Sequence, residues 1–289
     1  MQKLLPAGLG RAVVIFCCCN LYFPYLAMAE DTAMTWSGQL YGGEYYKDDL
    51  TGGYGISSIY FSDDFIITGE ILRERYHNRD RDYYLSGVGV HLLWQPSEVT
   101  MLGVAGSHSR ERYSYSDFIE GLKYRYRTNT IALEGELDYD PLTLAAQAGK
   151  VANDDEYNIQ HRFYSIYLYY WGANHLWYAS SSIRRIRNYR EYTLEANRTF
   201  FADSRPISLY AGATRDKLIS NVEIPAPVGQ YNSYYMGCNL QFITTSSSAW
   251  SLWAEAARQS SETIMSVELI ISFGPGVDAP AISTLDYVR

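Results

Sequence analysis

Three sets of side chains in this 289-residue chain have types and spacings that could do chemistry. The first is Ser107-His108-Ser109, with His161 as a further imidazole. A hydroxyl beside an imidazole is the start of a hydrolase site, which also needs an orienting carboxylate or carboxamide within hydrogen-bond reach. The second set is acidic. Glu134, Glu136 and Asp138 stand at every second position, and Glu70, Glu74, Glu195, Glu255 and Glu268 fall in similar alternation. The third is basic and again spaced by two: Arg110 and Arg112, Lys123, Arg125 and Arg127, Arg215 and Lys217, with Arg162 and Arg258. Guanidinium groups so placed suit bidentate contacts to phosphate. The 5 histidines show no paired ligand spacing, and no GxxxxGK or GxGxxG run occurs, so the sequence predicts neither metal nor cofactor.

A spacing of two is the period of an extended strand, so the elements that must position these groups are strands. In Thr263–Phe273, Met265, Val267, Leu269, Ile271 and Phe273 fall on one face, with Ser266, Glu268 and Ser272 on the other. Trp250, Leu252, Ala254 and Ala256 repeat the pattern against Ser251 and Glu255, and Tyr234, Met236, Cys238, Leu240 and Phe242 repeat it against Ser233, Asn239 and Gln241. The spacing predicts about fourteen strands, with a count of roughly 12 to 16 compatible with it. They cover 35–46, 53–62, 65–76, 82–94, 98–112, 123–139, 142–152, 157–171, 174–186, 190–201, 206–217, 230–243, 249–260 and 262–273. The connections alternate between tight turns, such as Gln95-Pro96-Ser97, Asp140-Pro141 and Gly172-Ala173, and longer, more charged ones, such as Tyr113 to Leu122 and Leu218 to Gly229. The fold expected is all-β, a closed antiparallel transmembrane barrel with short turns at one end and longer loops at the other.

The N-terminus supplies an address. Lys3 and Arg11 precede an apolar stretch from Ala12 to Met28 that ends in Ala27-Met28-Ala29, so 1–29 reads as a secretory signal peptide cleaved near Ala29. Three of the 4 cysteines lie within it, and Cys238 alone remains, so no intrachain disulfide is expected in the mature chain. A net charge of −8 argues against nucleic acid as a partner.

Strand parity then sorts the charges. The basic set, Arg110, Arg112, Arg125, Arg127, Arg162, Arg215, Lys217 and Arg258, falls on the outward face of the external half. There it would form a belt binding lipopolysaccharide phosphates. Inward parity collects Glu70, Glu74, Glu134, Glu136, Asp138, Glu195, Glu255 and Glu268 with Tyr41, Tyr45, Tyr167, Tyr169, Tyr210, Tyr231, Tyr235, Trp177 and Trp253. A carboxylate-rich wall favours cations, and aromatic faces can stack on ring solutes. Trp36, Trp94, Tyr139, Trp171, Phe201, Phe242, Trp250 and Phe273 lie beside tight turns or the chain's ends, where an interfacial aromatic girdle belongs.

On these patterns, residues 35–273 resemble bacterial outer-membrane β-barrels of the monomeric porin type, as a class and not as one family. The last strand, Ser266 to Phe273, partly resembles the C-terminal signal read by the barrel-assembly machinery of Gram-negative bacteria. It departs from that signal in carrying Glu268 where a glycine is usual, and in the sixteen residues that follow Phe273. The resemblance implies an outer-membrane location and a porin-like channel passing small cationic or neutral solutes. The domains expected are the signal peptide, a barrel over 30–273 and a periplasmic tail over 274–289; the tail could instead be a plug or a docking segment for a periplasmic partner. The alternatives are a barrel serving polysaccharide or polymer export or a structural complex, and a barrel hydrolase acting on lipid or peptide. Loop 218–229, with Pro225 and Pro227, is the first candidate for a constriction.

Overall fold

The structure, a computed structural model, describes residues 34–45, 48–62, 64–78, 81–115, 123–153, 160–186, 189–202, 205–218, 232–245, 248–259, 262–276, 283 and 285. They form fourteen strands: β1 (Met34–Tyr45), β2 (Asp48–Ser62), β3 (Phe65–Asn78), β4 (Arg81–Ser97), β5 (Thr100–Tyr115), β6 (Lys123–Tyr139), β7 (Leu142–Asn153), β8 (Gln160–Gly172), β9 (His175–Ile186), β10 (Tyr189–Ala202), β11 (Arg205–Leu218), β12 (Asn232–Thr244), β13 (Ser248–Gln259) and β14 (Glu262–Gly276). Each pairs antiparallel with its chain neighbours, and β1 pairs with β14, so the sheet closes into a barrel without an edge.

Alternation sets which way each residue faces. On β3, Ile66, Thr68, Glu70, Leu72, Glu74 and Tyr76 are buried inside, while Ile71, Arg73 and Arg75 lie outside. The outer wall is apolar and open: Ile131, Leu133 and Met265 are each 67% exposed. A band of that character belongs in lipid, and closure pairs the backbone groups that lipid could not solvate. No helix among the described residues is long and apolar enough to cross a membrane, so the crossing elements are the strands.

Several strands outrun their sequence signals. The sequence reads Lys47 to Gly52 as a connection, with the strand starting at 53, yet β2 begins at Asp48. Gly52 faces Tyr41 across the β1–β2 pair, and a Cβ there would meet the Tyr41 ring at 2.5 Å, so the glycine accommodates a ring and does not end the strand. The same device recurs where Tyr235 lies over Gly212 and Tyr210 over Gly237. Pro96 also falls within a strand, and the turn comes at Glu98-Val99 after a register shift between Trp94 and Ser97. The predicted leader 1–29 and the Pro225 and Pro227 segment lie outside the described residues.

The aromatic girdle is partly redrawn. Trp36, Trp94, Tyr139 and Phe242 are exposed on the outside, but Trp171 and Phe201 turn inward and pack on a buried cluster that includes Tyr169, Leu176 and Tyr178. Trp177, expected inside, stands on the outer wall instead, because inward parity on β9 belongs to Leu176 and Tyr178. A second cluster of Tyr45, Leu50, Tyr76, Tyr83, Tyr113, Tyr210, Tyr235 and Trp253 fills inner faces from β11 around to β5.

Candidate functional site: the barrel lumen

The inward acids lie where strand parity puts them. Glu70, Glu195, Glu255 and Glu268 are buried inside with Tyr167, Tyr169, Tyr235 and Trp253. Glu136 is half-buried, and Asp138 is exposed at the tight-turn end, where it accepts a bond from Thr143 Oγ1 at 2.8 Å. Tyrosines hold three of the buried acids: Tyr210 donates to Glu255 at 3.1 Å, Tyr235 to Glu195 at 2.6 Å, and Tyr41 and Tyr76 to Glu74. Phenol donors of this kind keep a carboxylate hydrogen-bonded without placing a counter-charge beside it.

One lumen group was invisible to spacing. His91 on β4 is fully buried, with Nδ1 at 2.9 and 3.0 Å from the Glu134 oxygens on β6 and Nε2 bonded to Glu70 on β3. With both acids ionised each offers acceptors only, so both ring nitrogens donate and the ring is an imidazolium between them. Tyr54 donates to Glu70 at 3.0 Å, and Gln147 Nε2 to Glu134 at 3.2 Å, which extends the network from β2 to β7. It can span β5 because β5 is small there: Glu134 faces Gly103 and His91 faces Ala105. A Cβ on Gly103 would stand 3.1 Å from Glu134 Oε1.

The segment after β14 reaches the same place. Ser283 donates to Glu70, and Leu285 packs into the tyrosine cluster with 1% of its surface exposed. Its seat is Gly87 on β4, where a Cβ would come within 2.8 Å of Leu285 Cδ2. Both described tail residues therefore lie inside the barrel.

The basic residues stand outside. Arg110, Arg112, Arg125, Arg127, Arg162, Arg215 and Arg258 are all exposed on the outer wall toward the long-loop end, while the Lys217 side chain lies outside the described residues. The register places Arg110 opposite Arg127 and Arg112 opposite Arg125. Arg73, Arg75 and Lys150, which the sequence reading left out, are exposed on the same face. Ser107 and Ser109 face inward while His108 faces out, bonded to Asn129 at 2.9 Å, so this trio does not converge. His161, half-buried, lies 3.4 Å from Asn153 Nδ2. No group of three or more potential metal ligands occurs among the described residues.

No protein-family model and no curated protein matches the chain. Solved structures do match in shape. CdiB from Acinetobacter baumannii aligns with a TM-score of 0.53 at 9% identity over 84% of this chain, which spans only 60% of that one. The outer-membrane expressed OmpT of Vibrio cholerae aligns at 0.51 and 8% identity, covering 86% of this chain and 100% of that one. Its loop L8 deletion mutant gives 0.50 at 8% identity, over 84% and 100%. At such identities the likeness shows the fold, which is that of an outer-membrane β-barrel.

Proposed function

We propose that this barrel is a passive outer-membrane channel for small cationic or neutral solutes, with its own C-terminal segment as the stopper. The observation that carries the reading is the sign of the lumen. Its inward side chains include Glu70, Glu74, Glu134, Glu136, Glu195, Glu255 and Glu268, against which the described inner wall sets Arg184, paired with Glu191 at 3.6 Å, and the imidazoles of His91 and His161. Such a wall raises the local concentration of cations and opposes anions. Ser283 and Leu285 occupy the lumen beside the Glu70–His91 pair, so conduction follows their release.

Single-channel recording in a planar bilayer under a salt gradient tests this. The expected result is conductance whose reversal potential reports cation preference. Glu136→Gln with Asp138→Asn, at the tight-turn mouth and outside the buried network, should move that potential toward zero. Absence of conductance in both the full chain and a chain truncated before Ser283 would overturn the channel reading.

The external arginines have a proposed partner in lipopolysaccharide. Like charges set directly opposite on paired strands repel, and Arg110/Arg127 beside Arg112/Arg125 makes two such pairs side by side. Bridging phosphates of the outer leaflet would relieve that repulsion with charge-assisted bonds. Changing Arg110 and Arg127 together to glutamine should reduce co-purified lipopolysaccharide by about tenfold, and unchanged retention would remove the assignment.

A further inference from the structure

One outward arginine does not belong to the external belt. Arg198 lies near the opposite end of β10, whose last residue is Ala202, and points to the lipid side between buried Asn197 and Thr199. Its guanidinium lies over two rings, 4.6 Å from the Trp177 ring centroid on β9 and 4.4 Å from that of Phe200. Cation–π contact holds the plane of the group but leaves its charge unneutralised. Among the described residues no carboxylate pairs with it, and its Nε is buried without a hydrogen-bond partner. An unpaired cation on a lipid-facing wall calls for an anion from the lipid itself.

The wall beside it has the matching shape. One step toward the membrane centre, Ala179, Ala196 and Ala211 align across β9, β10 and β11, all exposed. Leu168, facing Ala179 on β8, bounds this row on one side, and Met236, facing Ala211 on β12, bounds it on the other. The row is a shallow trough about three strands, or roughly 14 Å, wide. Trp177 and Tyr170, both outward and facing each other across β8 and β9, stand at the headgroup level next to Arg198.

We infer that Arg198, Trp177 and Phe200 form a binding site for the phosphate of a phospholipid in the periplasmic leaflet, with an acyl chain lying in the alanine trough. The site is independent of whether the lumen conducts. It gives the barrel a fixed lipid at its periplasmic rim, on the side formed by β8 to β12.

Native mass spectrometry of the refolded barrel, loaded with dioleoyl phosphatidylglycerol in a non-ionic detergent, tests the inference. The full chain should retain a lipid that Arg198→Gln holds about tenfold less well, the loss expected for a charge-assisted bond to phosphate. Ala196→Leu, which fills the trough and leaves the arginine in place, should also lower retention, and it keeps the test decisive should Arg198→Gln fail to refold. Dioleoylglycerol, with the same chains and no phosphate, should not be retained. Arg258→Gln, at the external end, should behave as the unmodified chain. Equal retention by Arg198→Gln and the unmodified chain overturns the site. Displacement of the lipid by an equal concentration of inorganic phosphate would overturn the lipid assignment in favour of a free-anion site.

Discussion

Replacing His91 by leucine is expected to destabilise the barrel by about 3–5 kcal/mol, the cost of stripping a buried ion pair of one partner. The imidazolium separates two carboxylates that the lumen otherwise keeps from water, and the Glu70, His91 and Glu134 side chains are 0%, 0% and 5% exposed. Without it, Glu70 retains Tyr54 and Ser283 as donors and Glu134 retains Gln147, but no positive charge remains between them. Urea unfolding in lipid vesicles would read the loss as a lower midpoint at an unchanged slope. The triple change Glu70→Gln, His91→Leu and Glu134→Gln removes all three charges and should recover most of that stability, since the penalty belongs to the unpaired carboxylates. A single variant as stable as the parent would mean that water enters the network and solvates the acids.

The largest functional effect is expected from Leu285→Asp. A carboxylate in the seat over Gly87 would lie among the rings of the tyrosine cluster, beside the Ser109 hydroxyl that faces Gly87 and with no counter-charge supplied by either. Burying it unpaired costs several kcal/mol, so the segment should leave the lumen. Each ~1.4 kcal/mol shifts the ratio of released to seated segment tenfold, and open-channel occupancy should rise by at least about that factor. A disulfide test locates the segment without reference to conduction: with Cys238 changed to serine, Gly87→Cys and Leu285→Cys should cross-link under mild oxidation. Cross-linking that closes the channel, reversed by reductant, supports the stopper. Free cysteines in a folded barrel would place Leu285 elsewhere.

Much of the barrel was legible because one period of two governs it. Once Ser266, Glu268 and Ser272 share a face, the inward direction of the whole strand follows, and Glu70, Glu195 and Glu255 were found by the same rule. The rule failed where a strand's two faces are similar in character. On β9, Trp177 and Tyr178 are adjacent aromatics set between Leu176 and Ala179, and parity alone could not choose between them. Turn residues misled for a related reason, since Gly52 faces Tyr41 and Pro96 lies beside a register shift, both inside strands. The Glu70–His91–Glu134 network was not legible at all. Its members lie on three strands, and their meeting depends on register and on the small residues Gly103 and Ala105 of a fourth. Those two residues, small on the inward face of a strand whose neighbours carry charge, were the one available signal.

On the proposed reading, the stopper is joined to the chain it blocks. Ser283 lies about seven residues past the end of β14, a stretch that reaches up to roughly 24 Å, and β14 is fixed to β1 along the closing seam. Its bond to Glu70 spans 213 positions of sequence, yet once the seam is paired a released segment would have only those few residues of tether to cross. Its effective concentration at the seat is then of millimolar order. A weak intrinsic contact would therefore suffice to keep the lumen filled, and a soluble competitor for the Gly87 seat would have to overcome that local concentration. A ligand that instead grips the segment on the periplasmic side has only to outlast its rebinding. On that reading an opening signal would have its easiest route through the tail itself.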